Sequence, residues 1–303
     1  MVLPDFPTPD SAPNPAPVPA ETGTGTAEVR TMLPYRPISP TFAIVPTVTV
    51  VIPARNEAAN LPHVFRTLPP WVNEIIVVDG HSVDDTVAVA HELCPQARVI
   101  TQPGRGKGDA LIAGFEAATG DILVAMDADG STDGAEIIQF VGALVCGADY
   151  AKGSRFNGSG GSSDITVGRR YGNWLLGSMV NRIFRTQFTD LCYGYNAFWT
   201  RHLDALDLDC PGFEIETMMN IRAAKAGLRI AEVPSFERPR LNGESNLSVV
   251  SDGWRILKLI LRERSSRVAG RPRRAEPEPV MPSPLPMVAE AAEVQVQASV
   301  EGA

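Results

Sequence analysis

Three short stretches of this chain are apolar or β-branched at nearly every position. They are Thr47-Val-Thr-Val-Val-Ile-Pro53, Glu74-Ile-Ile-Val-Val-Asp79 and Ile122-Leu-Val-Ala-Met126. A strand with one face in water alternates apolar and polar residues, so runs without alternation belong to strands covered on both faces. Stretches of helical length lie between them, ending near residue 68 and spanning 86–93 and 109–118. This alternation predicts an α/β domain with a mostly parallel, doubly wound, Rossmann-like sheet flanked by helices. The third run ends in Asp127-Ala-Asp129-Gly130. Two carboxylates one residue apart converge only if the backbone turns, and Gly130 permits the turn. Converged, they are hard oxygen ligands suited to Mg²⁺ or Mn²⁺. Asp and Gly are also common turn residues, so the tetrapeptide alone fits a solvated turn equally well.

Other segments supply context. Residues 97–101 and 148–152 read as further strands and 134–145 as a helix. Ser82 or Asp84 is positioned to cap the helix over 86–93. Ligands on doubly wound sheets sit at the carboxyl ends of the strands. Asp79, Asp127 and the loop after Lys152 all fall at those ends. The second half is less regular. Residues 156–166 are Gly/Ser-rich and read as a mobile loop. A helix over 169–185 carries Leu176, Met179, Val180 and Ile183 on one stripe. A helix over 213–226 precedes a strand over 228–236 and a turn over 242–245. A last amphipathic helix, 249–264, sets Val250, Trp254, Leu257 and Leu261 in register beside Arg255, Lys258, Arg262 and Arg264. Such a helix can lie in a membrane interface or pack on the domain.

Composition limits the alternatives. Residues 1–46 are Pro-rich and 265–303 form a Pro/Glu/Ala/Val tail, so both ends read as disordered and the folded domain as 47–264. A net charge of −8 argues against general nucleic-acid binding. The four cysteines have no Cys-x-x-Cys spacing and read as free thiols of a reducing cytosol. The first residues lack a basic n-region and an apolar h-region, so no signal peptide is expected, and no apolar run approaches the ~20 residues a membrane span needs. The expected location is cytoplasmic, with peripheral contact at the inner face of a membrane as the one membrane role left open.

Gly104-Arg-Gly-Lys-Gly108 lacks the first Gly and the final hydroxyl of a P-loop, and the first strand runs into Pro53 rather than a Gly-x-Gly turn. The glycine turn can still aim Lys107 at a phosphate, or simply open a helix. The four histidines show no ligand spacing, and no Ser-His-Asp or Cys-His pattern is present. Five motifs remain: Val51-Ile-Pro-Ala-Arg-Asn-Glu57, Val78-Asp-Gly-His-Ser-Val-Asp-Asp-Thr86, Gly106-Lys-Gly108, Met126-Asp-Ala-Asp129 and Gly153-Ser-Arg155. Their order and spacing, over about residues 47–240, resemble the family 2 glycosyltransferases of GT-A fold. Arg240-Leu-Asn-Gly-Glu-Ser245 and the arginine-led helix from Arg169 look like the dolichyl- or polyprenyl-phosphate mannose or glucose synthases within that family. Asn246 stands where that subgroup usually has Lys, and Ser131 where some members have a Gln metal ligand.

The resemblance implies an enzyme, an inverting hexosyltransferase dependent on Mg²⁺ or Mn²⁺. Pro53, Arg55, Glu57, Asp79, Lys107, Asp127 and Ala128 would hold a nucleotide-sugar donor. Asp127 and Asp129 would hold the cation and, with Arg155 and Arg240, serve the transfer. The acceptor has two readings. A polyprenyl phosphate is already anionic at pH 7 and needs cationic positioning, which Arg155, Arg169, Arg170 and Arg240, with Ser245, would supply. A soluble hydroxyl acceptor, such as a phosphorylated small acid, needs a general base, which Glu214 or Glu216 could supply. An inactive nucleotide-binding protein is a third reading.

Overall fold

The computed structural model describes residues 45–243 and 249–266. The tails expected at 1–46 and 265–303 lie almost wholly outside them. The chain runs β1 (Val48–Ala54), α1 (Leu61–Thr67), β2 (Glu74–Asp79), α2 (Thr86–Leu93), β3 (Arg98–Thr101), α3 (Lys107–Ala117) and β4 (Ile122–Ala125). A 3₁₀ turn at Gly134–Glu136 leads into α4 (Ile137–Val145), then β5 (Tyr150–Ser154), β6 (Gly161–Ser162) and α5 (Val167–Phe184). The rest is β7 (Asn196–Trp199), α6 (Leu203–Leu206), α7 (Ile215–Lys225), β8 (Ile230–Pro234), β9 (Phe236–Glu237) and α8 (Val249–Ser265).

The main sheet has the order β3-β2-β1-β4-β7-β5-β8. Its strands are parallel except β7, which pairs antiparallel with both β4 and β5. The sheet is therefore mostly parallel, as expected, with one inserted antiparallel strand. The signal for β7 was short, Asn196-Ala-Phe-Trp199, although its aromatics favour a strand. Both faces of β1 are covered: Val48, Val50 and Ile52 pack with Leu61, Val64 and Phe140, while Val51 packs with Leu111, Phe115 and Met218. That two-sided burial is why β1 shows no polar alternation.

The Gly/Ser-rich stretch expected as a loop contains β6, which pairs with β9. Ser162 Oγ donates to Glu237 Oε2 at 2.5 Å and Ser163 N to Glu237 O at 3.1 Å. Of the two capping candidates, Asp84 accepts from Thr86 N, the first residue of α2, at 3.1 Å. Ser82 instead accepts from Asn56 N.

A third cluster joins α5, α7 and α8 through Val180, Leu191, Ile221, Ile256 and Ile260, with Leu176, Met179 and Ile183 packed against it. The expected α5 stripe thus faces inward. The α8 register differs from expectation. Ile256, Leu259, Ile260 and Glu263 are buried, whereas Trp254 is 57% and Leu261 51% exposed. The side chain of Val250 lies outside the described residues. Glu263 sets the rotation: its carboxylate accepts from Arg222 Nη2 at 3.0 Å and from Lys225 Nζ at 2.9 Å, both on α7. A buried acid thus shares the inward face with three apolar residues, a combination that a purely apolar stripe does not reveal.

Burial pushes the Glu263 carboxyl up, but the bonds from Arg222 and Lys225 outweigh it and bring it down to about 2, from an ordinary 4.5. A depressed carboxyl stabilises the fold fully above its unfolded pKa and less as pH falls toward the folded one. Glu263→Ala is expected to cost about 3 kcal/mol at pH 7, because Arg222 loses its buried partner and keeps only exposed carboxylates, the nearer being Asp209 at 2.9 Å. Urea denaturation of both proteins checks this, and the difference should shrink as pH falls from about 4.5 to about 2.

Candidate active site

Strand order reverses between β1 and β4, where β2 and β3 lie to one side and the remaining strands to the other. Chain segments leaving the sheet on either side of such a point leave a crevice at the carboxyl ends. Here it is a cavity of about 430 Å³. Pro53, Arg55 and Glu57 line it from β1, Asp127, Ala128 and Asp129 from β4, and Arg155 from β5, together with Lys107, Arg169 and Arg240. Gly80 lines it from β2, next to the buried Asp79, whose Oδ1 accepts from Ser82 N at 3.1 Å. Of the residues expected on the donor side, Pro53, Arg55, Glu57, Lys107, Asp127 and Ala128 line this one cavity, while Asp79 is buried behind Gly80 and does not. Arg170 lines an adjoining cavity of about 370 Å³, which shares Arg155 and Ile165 with the first. Ser245 lies outside the described residues.

The turn after Asp129 needs its glycine. Gly130 has φ +76°, and a Cβ there would lie 2.7 Å from Leu241 Cδ1. The glycine turn at 104–108 serves packing as well as aim. A Cβ on Gly108 would lie 2.0 Å from the Cys210 carbonyl oxygen, and Gly108 N donates to Pro211 O at 2.8 Å. The α3 backbone thus lies directly on the segment before α7, with Lys107 at the helix start pointing into the cavity.

A cation at a helix N-terminus is disfavoured by the helix dipole. Two carboxylates offset this: Lys107 Nζ is 2.6 Å from Asp127 Oδ1 and 2.5 Å from Glu216 Oε1. Burial alone would lower the lysine pKa, but Asp127 and Glu216 raise it, so it stays charged. One ammonium is shared by two anions. Burial, with Asp127 adding to it, pushes the Glu216 carboxyl up against the pull of Lys107.

The expected arginines divide by partner. Arg155 is buried, with Nε 2.7 Å from Asp190 Oδ2 and Nη1 3.0 Å from Glu237 Oε2. It fastens the loop after β5 and presents little free charge to a ligand. Arg240 bridges Glu57 and Asp129. Arg169 lies 3.9 Å from Asp164. Arg170 stacks over Phe156, its guanidinium carbon 5.4 Å from the ring centre, and no carboxylate among the described residues pairs with it.

A family model, "Glycosyl transferase family 2", matches residues 49–207. The chain belongs to this family. It is 35% identical over 214 residues to an undecaprenyl-phosphate mannosyltransferase of Micrococcus luteus, covering 66% of this chain and 87% of the relative. It is 32% identical over 222 residues to a polyprenol monophosphomannose synthase of Mycolicibacterium smegmatis, covering 66% and 80%. Among solved structures it resembles glucosyl-3-phosphoglycerate synthase from Mycobacterium tuberculosis in complex with Mn²⁺, UDP and glucosyl-3-phosphoglycerate. That match has TM-score 0.57 and 25% identity, over 72% of this chain and 80% of the other.

This family 2 glycosyltransferase has a donor set that fits a hard divalent cation. Asp127 and Asp129 offer carboxylate oxygens to the cavity, and no cluster of three His, Cys, Asp or Glu occurs among the described residues. A site with one or two carboxylates, completed by phosphates and water, suits Mg²⁺ or Mn²⁺. Sequence reasoning missed Gln102, Cys192, Tyr193, Gly194, Phe213 and Glu237 on the wall. All but Gln102 lie dozens of residues from Arg155 and Lys107, so no local pattern marks them. Burial, then Asp190 and Glu216, push the Cys192 thiol up to about 12, which disfavours the thiolate form.

Gly194 is the tightest of these positions. A Cβ there would sit 2.4 Å from Glu216 Oε1 and 2.6 Å from Lys107 Nζ. Gly194→Ala is expected to displace the Lys107 ammonium and lower turnover about 10²-fold, the cost of misplacing a positioning group by about an ångström. Steady-state kinetics beside an unchanged circular dichroism spectrum check it.

Proposed function

We propose that this glycosyltransferase moves a hexose from a nucleotide sugar, of GDP-mannose or UDP-glucose type, to a polyprenyl phosphate, with inversion. The observation that carries the acceptor is Arg170, stacked on Phe156 beside the donor cavity and without a carboxylate partner among the described residues. An arginine left available for a planar, two-bond grip is what a phosphate monoester needs. Pro53, Arg55, Glu57 and Asp79 would bind the base and ribose. Asp127 and Asp129 would hold Mg²⁺ or Mn²⁺, which would supply positive charge across the diphosphate. A phosphate oxygen attacks the anomeric carbon as the bond from that carbon to the diphosphate oxygen breaks, and the nucleoside diphosphate leaves with the electron pair. Lys107 and Arg240 are placed to meet that charge. The nucleophile carries no proton that must be removed, since its second pKa is near 6.

The second reading takes a soluble phosphorylated hydroxy acid as acceptor. The likeness to glucosyl-3-phosphoglycerate synthase favours it, and it needs a base. Glu216 lies on the cavity wall, but its Oε1 is already bonded to Lys107. Arg170→Ala is expected to raise KM for a polyprenyl phosphate about tenfold or more while donor affinity holds, as loss of a charge-assisted contact would. Glu216→Gln is expected to keep much of the activity. Abolished transfer in a folded Glu216→Gln, with Arg170→Ala like wild type, would favour the hydroxy acid.

A lipid acceptor calls for a surface that meets a bilayer. Among the described residues no helix is long and apolar enough to cross a membrane. α5 and α8 pack on each other and expose Tyr171, Trp174 (61% exposed) and Leu175 from one, Trp254 and Leu261 from the other. α5 has three arginines and no acid; on α8, Glu263 is buried and Asp252 pairs with Arg255. Aromatic side chains within a cationic surround suit an anionic interface. Wild type is expected to float with vesicles containing phosphatidylglycerol, and Trp174→Glu/Trp254→Glu to stay below. Equal flotation of the two proteins would remove the contact.

A further inference from the structure

Asp129 is engaged on both oxygens by the chain itself. Oδ1 accepts from Ser131 N at 3.0 Å and from Ser131 Oγ at 2.7 Å. Oδ2 lies 3.6 Å from Arg240 Nη1. The same guanidinium donates through Nη2 to Glu57 Oε1 and through Nε to Asn242 O at 2.9 Å. The segment bearing Arg240 is tied down around it. Leu241 N donates to Asp129 O at 3.3 Å, and Asn242 Nδ2 to Asn60 Oδ1 at 2.9 Å. Arg240 thus spans the crevice from the β1 side to the β4 side, reaching Asp129 at Oδ2.

A guanidinium and a divalent cation at one carboxylate repel each other strongly in a partly buried site. Each neutralises the charge the other would use. A nucleoside diphosphate changes the balance, because it brings anionic oxygens that can take up the displaced arginine. We infer that Arg240 is an exchangeable counter-ion, holding Glu57 and Asp129 together until metal and diphosphate arrive, then passing from Asp129 to the diphosphate. The metal and the nucleotide therefore strengthen each other's binding, and Arg240 sets the size of that coupling. By linkage the effect is reciprocal. The inference rests on the metal-dependent donor reading above and adds an order to it: the cation alone binds poorly.

The test measures Mn²⁺ binding to the full chain, following free Mn²⁺ by electron paramagnetic resonance, with and without UDP or GDP. Wild type should bind Mn²⁺ weakly alone and more tightly with one of the nucleotides, by a factor within the roughly 5–150-fold range of coupled sites. Arg240→Ala should bind Mn²⁺ alone about tenfold more tightly than wild type and lose most of the coupling. Arg240→Lys keeps the charge and should resemble wild type. Arg240→Met keeps the aliphatic volume and replaces the alanine variant if that one unfolds. Adding Asp129→Asn to Arg240→Ala should remove the gain. If the folded variants bind Mn²⁺ alone no more tightly than wild type, the exchange is wrong and the donor reading stands. If wild type binds no Mn²⁺ with either nucleotide, the metal-dependent donor reading fails and the exchange falls with it.

Discussion

Carboxylates gathered at one end of a parallel sheet repel one another, and the crevice of this protein is arranged to offset that repulsion. Glu57, Asp127, Asp129 and Glu216 all line it. Lys107 spans Asp127 and Glu216, and Arg240 spans Glu57 and Asp129. Each cation comes from an element distant in sequence from the acids it joins. The ion pairs therefore hold α3, α7 and the segment after β9 around the β1 and β4 exits. Low-dielectric surroundings make unpaired charges costly, so carboxylates gathered in such a crevice need cations fixed beside them.

The second half of the chain builds the other wall by a different device. β7 enters the sheet antiparallel between β4 and β5. Its start therefore lies at the same end as the exits of its neighbours, which brings Tyr193 and Gly194 to the cavity. Arg155 is fixed there by Asp190 and Glu237 and sits 4.9 Å from the Tyr193 ring centre. The Gly/Ser-rich stretch is held through Glu237 as well. One buried arginine thus ties β5, the loop before β7 and β9 together, and is distinct in its partners from Arg170 on α5, which stacks on Phe156.

The outer surface follows from how α8 docks. Glu263 turns inward to Arg222 and Lys225, and that rotation turns Trp254 and Leu261 outward. α5 buries Val180 in the cluster it shares with α8 and exposes Trp174. A buried ionic network inside the helical layer therefore determines which residues are presented outside it. Polar contacts of this kind select one register among several that apolar packing alone would tolerate.

The sequence by itself determined the strands that carry the donor side of the crevice. Their two-sided burial removed polar alternation from β1, β2 and β4, and that pattern survives without any tertiary information. The Asp127-Ala-Asp129-Gly130 turn was legible for a local reason too, because its glycine permits a positive φ that few other residues adopt. Tertiary structure alone decided the rest. The partners of Lys107, Arg155 and Arg240 lie 20 to 183 residues away, so nothing nearby in the chain marks which charge meets which. Whether an arginine awaits a phosphate or is already spent on a carboxylate depends on those meetings. Four arginines looked alike in sequence; folding buried Arg155, bridged Arg240, set Arg169 near Asp164 and left Arg170 on Phe156. The rotation of α8 was decided the same way, since the buried network of Glu263 with Arg222 and Lys225 outweighs the small difference in burial between two apolar stripes of one helix.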